Sequence, residues 1–363
     1  MKTININAPI NGTGYGITSL NIIKAIHAQN MDISLFPIGN NVEINSEADR
    51  DIIRQLLQNS NSFDYNAPCL KIWHQHDLAL KIGNGSYYVL PFFELDRLTQ
   101  REQHHINYAD YVFVASHWAK EVLEKNNISK PIYVSPLGVD LEIFQPPNKI
   151  RVEKENYIFF HIGKWEKRKS QDFLLKAFES AFTENDSVEL WLLPFNPFLS
   201  EQETQEWLNL VENNKLKNKI KIFNRLPTQY HLAEFIYHAD CGVFPSRAEG
   251  WNNEIIESMA MNKPIIATNY SAHTEYCNDK NCYLINTDEL EVANDGKWFL
   301  GSGNWAKLDR NELDQTVHYM KYVYTNHIDN NPEGVLTAKQ YSWTNTANII
   351  LQTIKDNDNA NTR

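Results

Sequence analysis

The stretch "CGVFPSRAEGWNNEIIESMAMNKPIIATN", Cys241 to Asn269, reads as strand, loop, helix, strand. "CGVFPS" and "PIIATN" are short continuous apolar runs, the pattern of strands covered on both faces of a parallel sheet. The helix between them is expected to begin at Asn252 or Asn253, both good N-cap residues, and to bury Ile255, Ile256, Met259 and Ala260. At about 100° per residue, Glu257 then projects with Glu254 from the opposite side. Glu249 lies in the loop just ahead of the helix, and Glu257 follows eight positions later, about one turn in.

A helix N-terminus offers unpaired backbone N–H groups and a partial positive charge, which suits a phosphate. Gly250 lets a ligand approach the backbone closely. In such a site Glu249 would accept hydrogen bonds from a sugar beside the phosphate and Glu257 from a ribose, each charged bond contributing about 1.5–3 kcal/mol. The competing reading is that both acids only complement the helix dipole, at about 0.3–1 kcal/mol each. Spacing alone does not separate the two.

The same alternation extends outward. "YIFFHIG" is a buried strand followed by "KWEKRKS" and by the amphipathic helix "QDFLLKAFESAF", with more strands at "VELWLLPF" and "IKIFNRLP". Lys164, Lys167, Arg168 and Lys169 cluster in a loop of an otherwise acidic chain. A solvated charge run is the ordinary explanation for such a cluster. Here the loop leaves a strand at the same sheet edge as "EGW", so Lys164 and Lys169 are expected to face one phosphate pocket.

Upstream, "KTININ", "GTGYG" and "ITSLNIIKAIHAQN" form strand, glycine loop and helix, and "YVFVAS", "HWAKEVLEKNN" and "PIYVSPLGVD" repeat the alternation. "GTGYG" lacks the G-x-G-x-x-G spacing of a dinucleotide site and by itself marks a tight turn. As the first loop of a first domain, its bare backbone at Gly14 and Gly16 would leave room for a diphosphate. "IWHQHDLAL" puts His74 and His76 after a short strand, on one side if the strand continues. A metal pair lacks a third ligand there, and a sugar-hydroxyl partner or a structural histidine are the other readings.

At 363 residues the chain exceeds the usual single-domain range. A Pro pair in "LEIFQPPNKIRVEKEN" interrupts the pattern, and the expected organisation is α/β: two doubly wound Rossmann-like domains, 1–147 and 148–325, with a linker and tail helix over 326–363. The helix "YSWTNTANIILQTI" is expected to return to the first domain, and the end "KDNDNANTR" to fray. Two such units make a cleft, and ligands bind at the carboxyl ends of their strands. A formal net charge of −11 argues against a nucleic-acid partner. No run of about 18 apolar residues and no signal-peptide stretch is present, so the expectation is a cytoplasmic protein without a transmembrane segment. The four cysteines lack zinc-ligand spacing and read as free thiols.

"HIGKWEKRKSQDFLLKAF", "PSRAEGWNNEIIESMAMNKPIIATNYSAHTEY" and "VSPLGVDLEIF" together resemble the retaining glycosyltransferases of family 4, which have the GT-B fold. The resemblance runs in order from the glycine loop to the "YSW" segment. It implies that Lys164 and Lys169 bind the diphosphate of a nucleotide-sugar donor, that Glu257 binds the ribose, that Glu249 holds the transferred sugar and that His76 lies near the reacting carbon. It also implies a donor loop through Gly250, Trp251, Asn252 and Asn253, facing Gly14 and Gly16. The reaction expected is sugar transfer to a hydroxyl acceptor, saccharide or lipid-linked, with retention by front-face attack and with neither metal nor cofactor. A lipid acceptor would make the protein peripheral at a membrane. The rival expectations are a sugar phosphorylase of the same fold and a nucleotide-sugar binding protein without turnover. Two positions depart from the family: its first basic residue is usually Arg and is Lys164 here, and its Gly after the aromatic is Asn252.

Overall fold

The computed structural model describes residues 2–39, 42–44, 46–146 and 154–361. The chain divides into two compact units, one formed by Met1–Gly138 with Tyr341–Arg363, the other by Val139–Gln340. The boundary expected at 147/148 lies outside the described residues.

In the first unit the chain runs β1 (Thr3–Ala8), α1 (Gly14–His27), β2 (Asp32–Pro37), α2 (Glu47–Asn59), β3 (Cys69–Ile72), β4 (Tyr87–Leu90), α3 (Gln100–Asn107), β5 (Tyr111–Val114), α4 (His117–Lys125) and β6 (Ile132–Val134). All pairings are parallel, in the order β2-β1-β3-β4-β5-β6. Ile4, Ile6, Leu70, Ile72, Val89 and Val112 are fully buried, as continuous apolar strands under helices on both faces must be. The strand order reverses at β1, between β2 and β3. That is where the loops after β1 and β3 part and a crevice forms.

The second unit repeats the design with β7 (Tyr157–Ile162), α5 (Gln171–Ala181), β8 (Val188–Leu193), α6 (Glu201–Glu212), β9 (Ile220–Ile222), α7 (Gln229–His238), β10 (Cys241–Phe244), α8 (Asn253–Ala260), β11 (Ile265–Thr268) and β12 (Tyr283–Ile285). The parallel order is β12-β11-β10-β7-β8-β9, so the reversal falls between β7 and β10. Phe159, Leu174, Phe178, Val243 and Ile266 fill the core between sheet and helices. An antiparallel hairpin, β13 (Leu290–Asn294) and β14 (Leu300–Ala306), stands outside this sheet and is followed by α9 (Arg310–Thr325) and α10 (Pro332–Gln340).

Three expectations change. The polar stretch "NHIDNNPEG" is not simply a linker, because α10 starts inside it and packs on α8. Asn331 fixes that start: it accepts from the Gly334 N–H at 2.9 Å and donates to the carbonyls of Lys263 and Asn281. The last helix, α11 (Trp343–Asn361), continues to Asn361 within the segment expected to fray and lies against α1 in the first unit. Finally, "GTGYG" is not all loop, since α1 begins at Gly14.

Candidate functional site

The reversal between β7 and β10 places two loops side by side at the carboxyl ends of the strands. The loop after β7 carries Lys164–Lys169, the loop after β10 carries Ser246–Asn252, and a backbone bond from Arg247 N to Arg168 O, 2.7 Å, ties them. Arg247 adds bonds from its Nη1 to Lys167 O and Ser170 Oγ. Gln171 at the start of α5 holds the first loop from below through the carbonyls of Gly163 and Lys164. A Cβ at Gly163 would crowd the Lys169 stem at 3.1 Å and His161 Nε2 at 3.2 Å.

Glu249 sits where these loops meet. Its carboxylate receives Arg168 Nη1 at 2.6 Å on Oε2 and Lys169 Nζ at 2.8 Å on Oε1, all three side chains being buried. Arg168 also reaches Glu166 at 2.9 Å and the Ala248 carbonyl at 2.8 Å. Lys164 pairs with the other oxygen of Glu166 at 3.0 Å while staying 40% exposed. Burial alone would raise the Glu249 carboxyl, but the charges of Arg168 and Lys169 overcome it and hold the group well below the usual carboxylate range. Lys169 is likewise held protonated: burial opposes its charge, and Glu249 and Glu254 outweigh burial. Arg168 is thus shared between Glu166 and Glu249, and Lys169 between Glu249 and the Glu254 of the first turn of α8.

The helix starts at Asn253, as its N-cap pattern suggests, with Asn252 before it in a left-handed conformation, φ 80°. Gly250, Trp251 and Asn252 are buried. Tyr276 OH pins the turn by donating toward the carbonyls of Trp251 and Asn252, and Ser271 Oγ accepts from Glu249 N at 2.8 Å. Glu257 does not project to solvent with Glu254 as the helical wheel implies. It is buried on α8, because the helix is covered on that side as well as by the core. Burial, then the nearby Glu254 and Asp140, push its pKa well above the ordinary value.

In the first unit, the reversal at β1 brings the glycine segment against "WHQHD". Tyr15 packs on Trp73 and His74, and its hydroxyl exchanges bonds with the backbone of Phe92. β3 ends at Ile72, so His74 and His76 lie in the following loop and not on a continuing strand. They are still together, with rings stacked at 5.3 Å, and His76 is exposed. Gly16 is required by contact: a Cβ there would lie 2.2 Å from Asn11 O. Gly14 has open space around it.

Sequence reasoning missed Glu166, His161 and His273, and gave Arg168 only a secondary part. His161 is buried in β7 with Nδ1 2.7 Å from Val243 O, and burial lowers its pKa to about 4. His161 and Arg168 find partners about 80 positions away in the chain, at Val243 and Glu249, His273 meets Asn252 across 21 positions, and Glu166 lies between its own partners, Lys164 and Arg168, inside the basic run. Among the described residues no three His, Cys, Asp or Glu side chains converge as metal ligands, the four cysteines are free thiols, and no helix is long and apolar enough to cross a membrane.

Residues 156–301, most of the second unit, match the family described as Glycosyl transferases group 1. An uncharacterized glycosyltransferase of Methanocaldococcus jannaschii is 25% identical over 170 residues, 44% of this chain and 40% of that protein, so the match spans less than half of the curated relative. The fold is similar over nearly the whole chain to sucrose-phosphate synthase from Thermosynechococcus elongatus, with a TM-score of 0.74 at 14% identity over 99% of this chain and 100% of that one. It is also similar to Anabaena HepE solved with UDP and glucose, with a TM-score of 0.70 at 13% identity over 98% and 100% of the two chains. At these identities the structural likeness concerns fold: two Rossmann-like units of the GT-B glycosyltransferase type.

Proposed function

We propose that the protein is a retaining glycosyltransferase that moves a sugar from a nucleoside diphosphate donor to a hydroxyl acceptor without a metal ion. The observation that carries this reading is Glu249 gripped by Arg168 and Lys169 at the β7/β10 reversal, directly ahead of α8 and eight positions before the buried Glu257. The family match over the same residues supports it. In this reading the diphosphate lies on the N-terminus of α8, and Lys164 and Lys169 neutralise the charge that develops as the sugar–phosphate bond breaks. Lys169 spends one of its three N–H groups on Glu249, which leaves donors for phosphate oxygens. Glu249 accepts from hydroxyls of the transferred sugar, Glu257 from the ribose, and the backbone of Gly250–Asn253 closes around the donor. The resemblance gives His76 the role of a hydrogen-bond partner of the sugar near the reacting carbon. The leaving phosphate oxygen takes the acceptor's proton on the same face, so configuration is kept.

The test is incubation of the purified protein with UDP-, GDP- and ADP-sugars and a panel of saccharide acceptors, with release of nucleoside diphosphate measured in the presence of EDTA. Turnover that survives EDTA, yields the donor's own anomeric configuration by NMR and falls at least about 100-fold in Glu249→Gln is expected. Turnover needing inorganic phosphate would make the protein a phosphorylase, and donor binding without turnover a binding protein. Either result overturns the proposal.

A further inference from the structure

Asn252 stands at the N-cap of α8 in a left-handed conformation that a non-glycine residue adopts only at some cost, and its side chain does not cap the helix. It reaches sideways instead. Asn252 and His273 approach at 3.0 Å between Nδ2 and Nε2, and His273 Nδ1 lies 3.0 Å from the Thr268 carbonyl. A carbonyl only accepts, so Nδ1 carries the ring proton. Burial lowers the His273 pKa to about 4, so near neutral pH the ring is neutral and Nε2 offers a lone pair. The amide must then donate its Nδ2 hydrogen to His273. That fixes its orientation, and the amide oxygen points the other way.

This oxygen has no hydrogen-bond partner, although Asn252 is only 6% exposed. An oriented, buried and unsatisfied acceptor is costly to keep in a folded protein. Asn252 itself follows Glu249 and Gly250 and immediately precedes α8, in the loop that the proposed function gives to the donor. We infer that Asn252, held in register by His273 as a positioning residue, accepts a hydrogen bond from a hydroxyl or amide N–H of the transferred sugar and thereby selects among donors. The inference rests on the nucleotide-sugar reading of the site. A sugar with a donor group at that position satisfies the amide, whereas an epimer turning it away leaves the amide orphaned, a difference of roughly 10- to 100-fold in kcat/KM.

The experiment compares UDP-glucose, UDP-galactose, UDP-N-acetylglucosamine and GDP-mannose, with UDP and GDP alone as references, by calorimetry and by nucleotide release. Wild type is expected to rank the donors by at least about 10-fold. Asn252→Gly, which suits the left-handed backbone, should compress the ranking to within about 3-fold. His273→Leu should weaken the ranking, and His273→Gln, which restores an acceptor, should recover part of it; if these buried variants do not fold, Asn252→Gly decides alone. A wild type that treats the sugars alike, or an Asn252→Gly variant that keeps the wild-type ranking, overturns this inference and leaves the transferase reading standing. Wild type that binds and turns over no nucleotide sugar overturns both.

Discussion

Glu249 and Glu257 belong to one short motif, yet their surroundings drive them in opposite directions. Glu249 is stabilised as an anion by two buried cations, and removing one partner of a buried ion pair typically costs about 3–5 kcal/mol because the other charge is left stranded. Arg168 serves both Glu166 and Glu249, so Arg168→Met should lower unfolding free energy by about 3 kcal/mol or more in urea titrations. Lys164→Met, at a half-exposed pair, should cost no more than about 1 kcal/mol. Glu257 has a raised pKa, so the folded state favours its protonated form. That preference is fully present below the ordinary carboxyl value of about 4.3 and is lost as pH rises toward the raised value. Glu257→Gln removes the titrating group. Its melting temperature relative to wild type should therefore rise as the pH is taken up from about 4.3, and a constant difference in parallel thermal scans would count against a raised pKa at Glu257.

At the scale of elements, the two glycines at the start of α1 give a matched test of contact against propensity. A Cβ at Gly16 would meet backbone atoms of Asn11 at 2.2 and 2.4 Å, and backbone cannot swing aside as a flexible side chain can. Gly16→Ala should cost about 1–3 kcal/mol. Gly14→Ala meets open space and should be neutral or stabilising by up to about 1 kcal/mol. Denaturant midpoints of the two variants check the pair, and equal effects would refute the contact. The same elements show what the chain disclosed in advance. β10, α8 and β11 were legible because continuous apolar runs flank an amphipathic helix preceded by asparagine, although the Asn252 side chain does not cap it, and the sheet reversal then forces the basic loop against Glu249. The β13–β14 hairpin and α9 escaped notice although each has a local signal: Asp295–Gly296 at the turn, and a capping box from Asp309 to Glu312. Arg168 had no such signal. A run of four basic residues in six looks solvated until a carboxylate 81 positions onward draws its arginine inside.

At the scale of the whole molecule, the first unit is built from two distant stretches of chain, residues 1–138 and the segment that carries α11. The sequence suggested this return through an apolar helix beyond a polar stretch; the place of return was not legible, because it depends on one close backbone contact. A Cβ at Gly138 would lie 2.1 Å from Trp343 N, and Thr346 Oγ1 donates to Pro136 O at 2.7 Å, so the chain leaves and re-enters the unit at nearly the same point. From there Ala347, Ile350 and Ile354 are fully buried in the unit where α11 meets α1. Tyr133 OH meets Asn357 Oδ1 at 3.0 Å. Burying an isoleucine contributes about 1.5–3 kcal/mol, so the two isoleucines alone supply about 3–6 kcal/mol, a large share of the roughly 5–15 kcal/mol that holds a domain folded. Deleting residues 341–363 should therefore destabilise the first unit selectively. Hydrogen exchange should show lost protection across 1–138 with little change in β7–β12, and limited proteolysis should cut first within 1–138. Deleting only 357–363 removes the Tyr133 bond and the Ser86–Asp358 bond, and should cost no more than about 2–3 kcal/mol. If the long deletion left exchange in 1–138 unchanged, α11 would be an appendage and not a structural part of that unit.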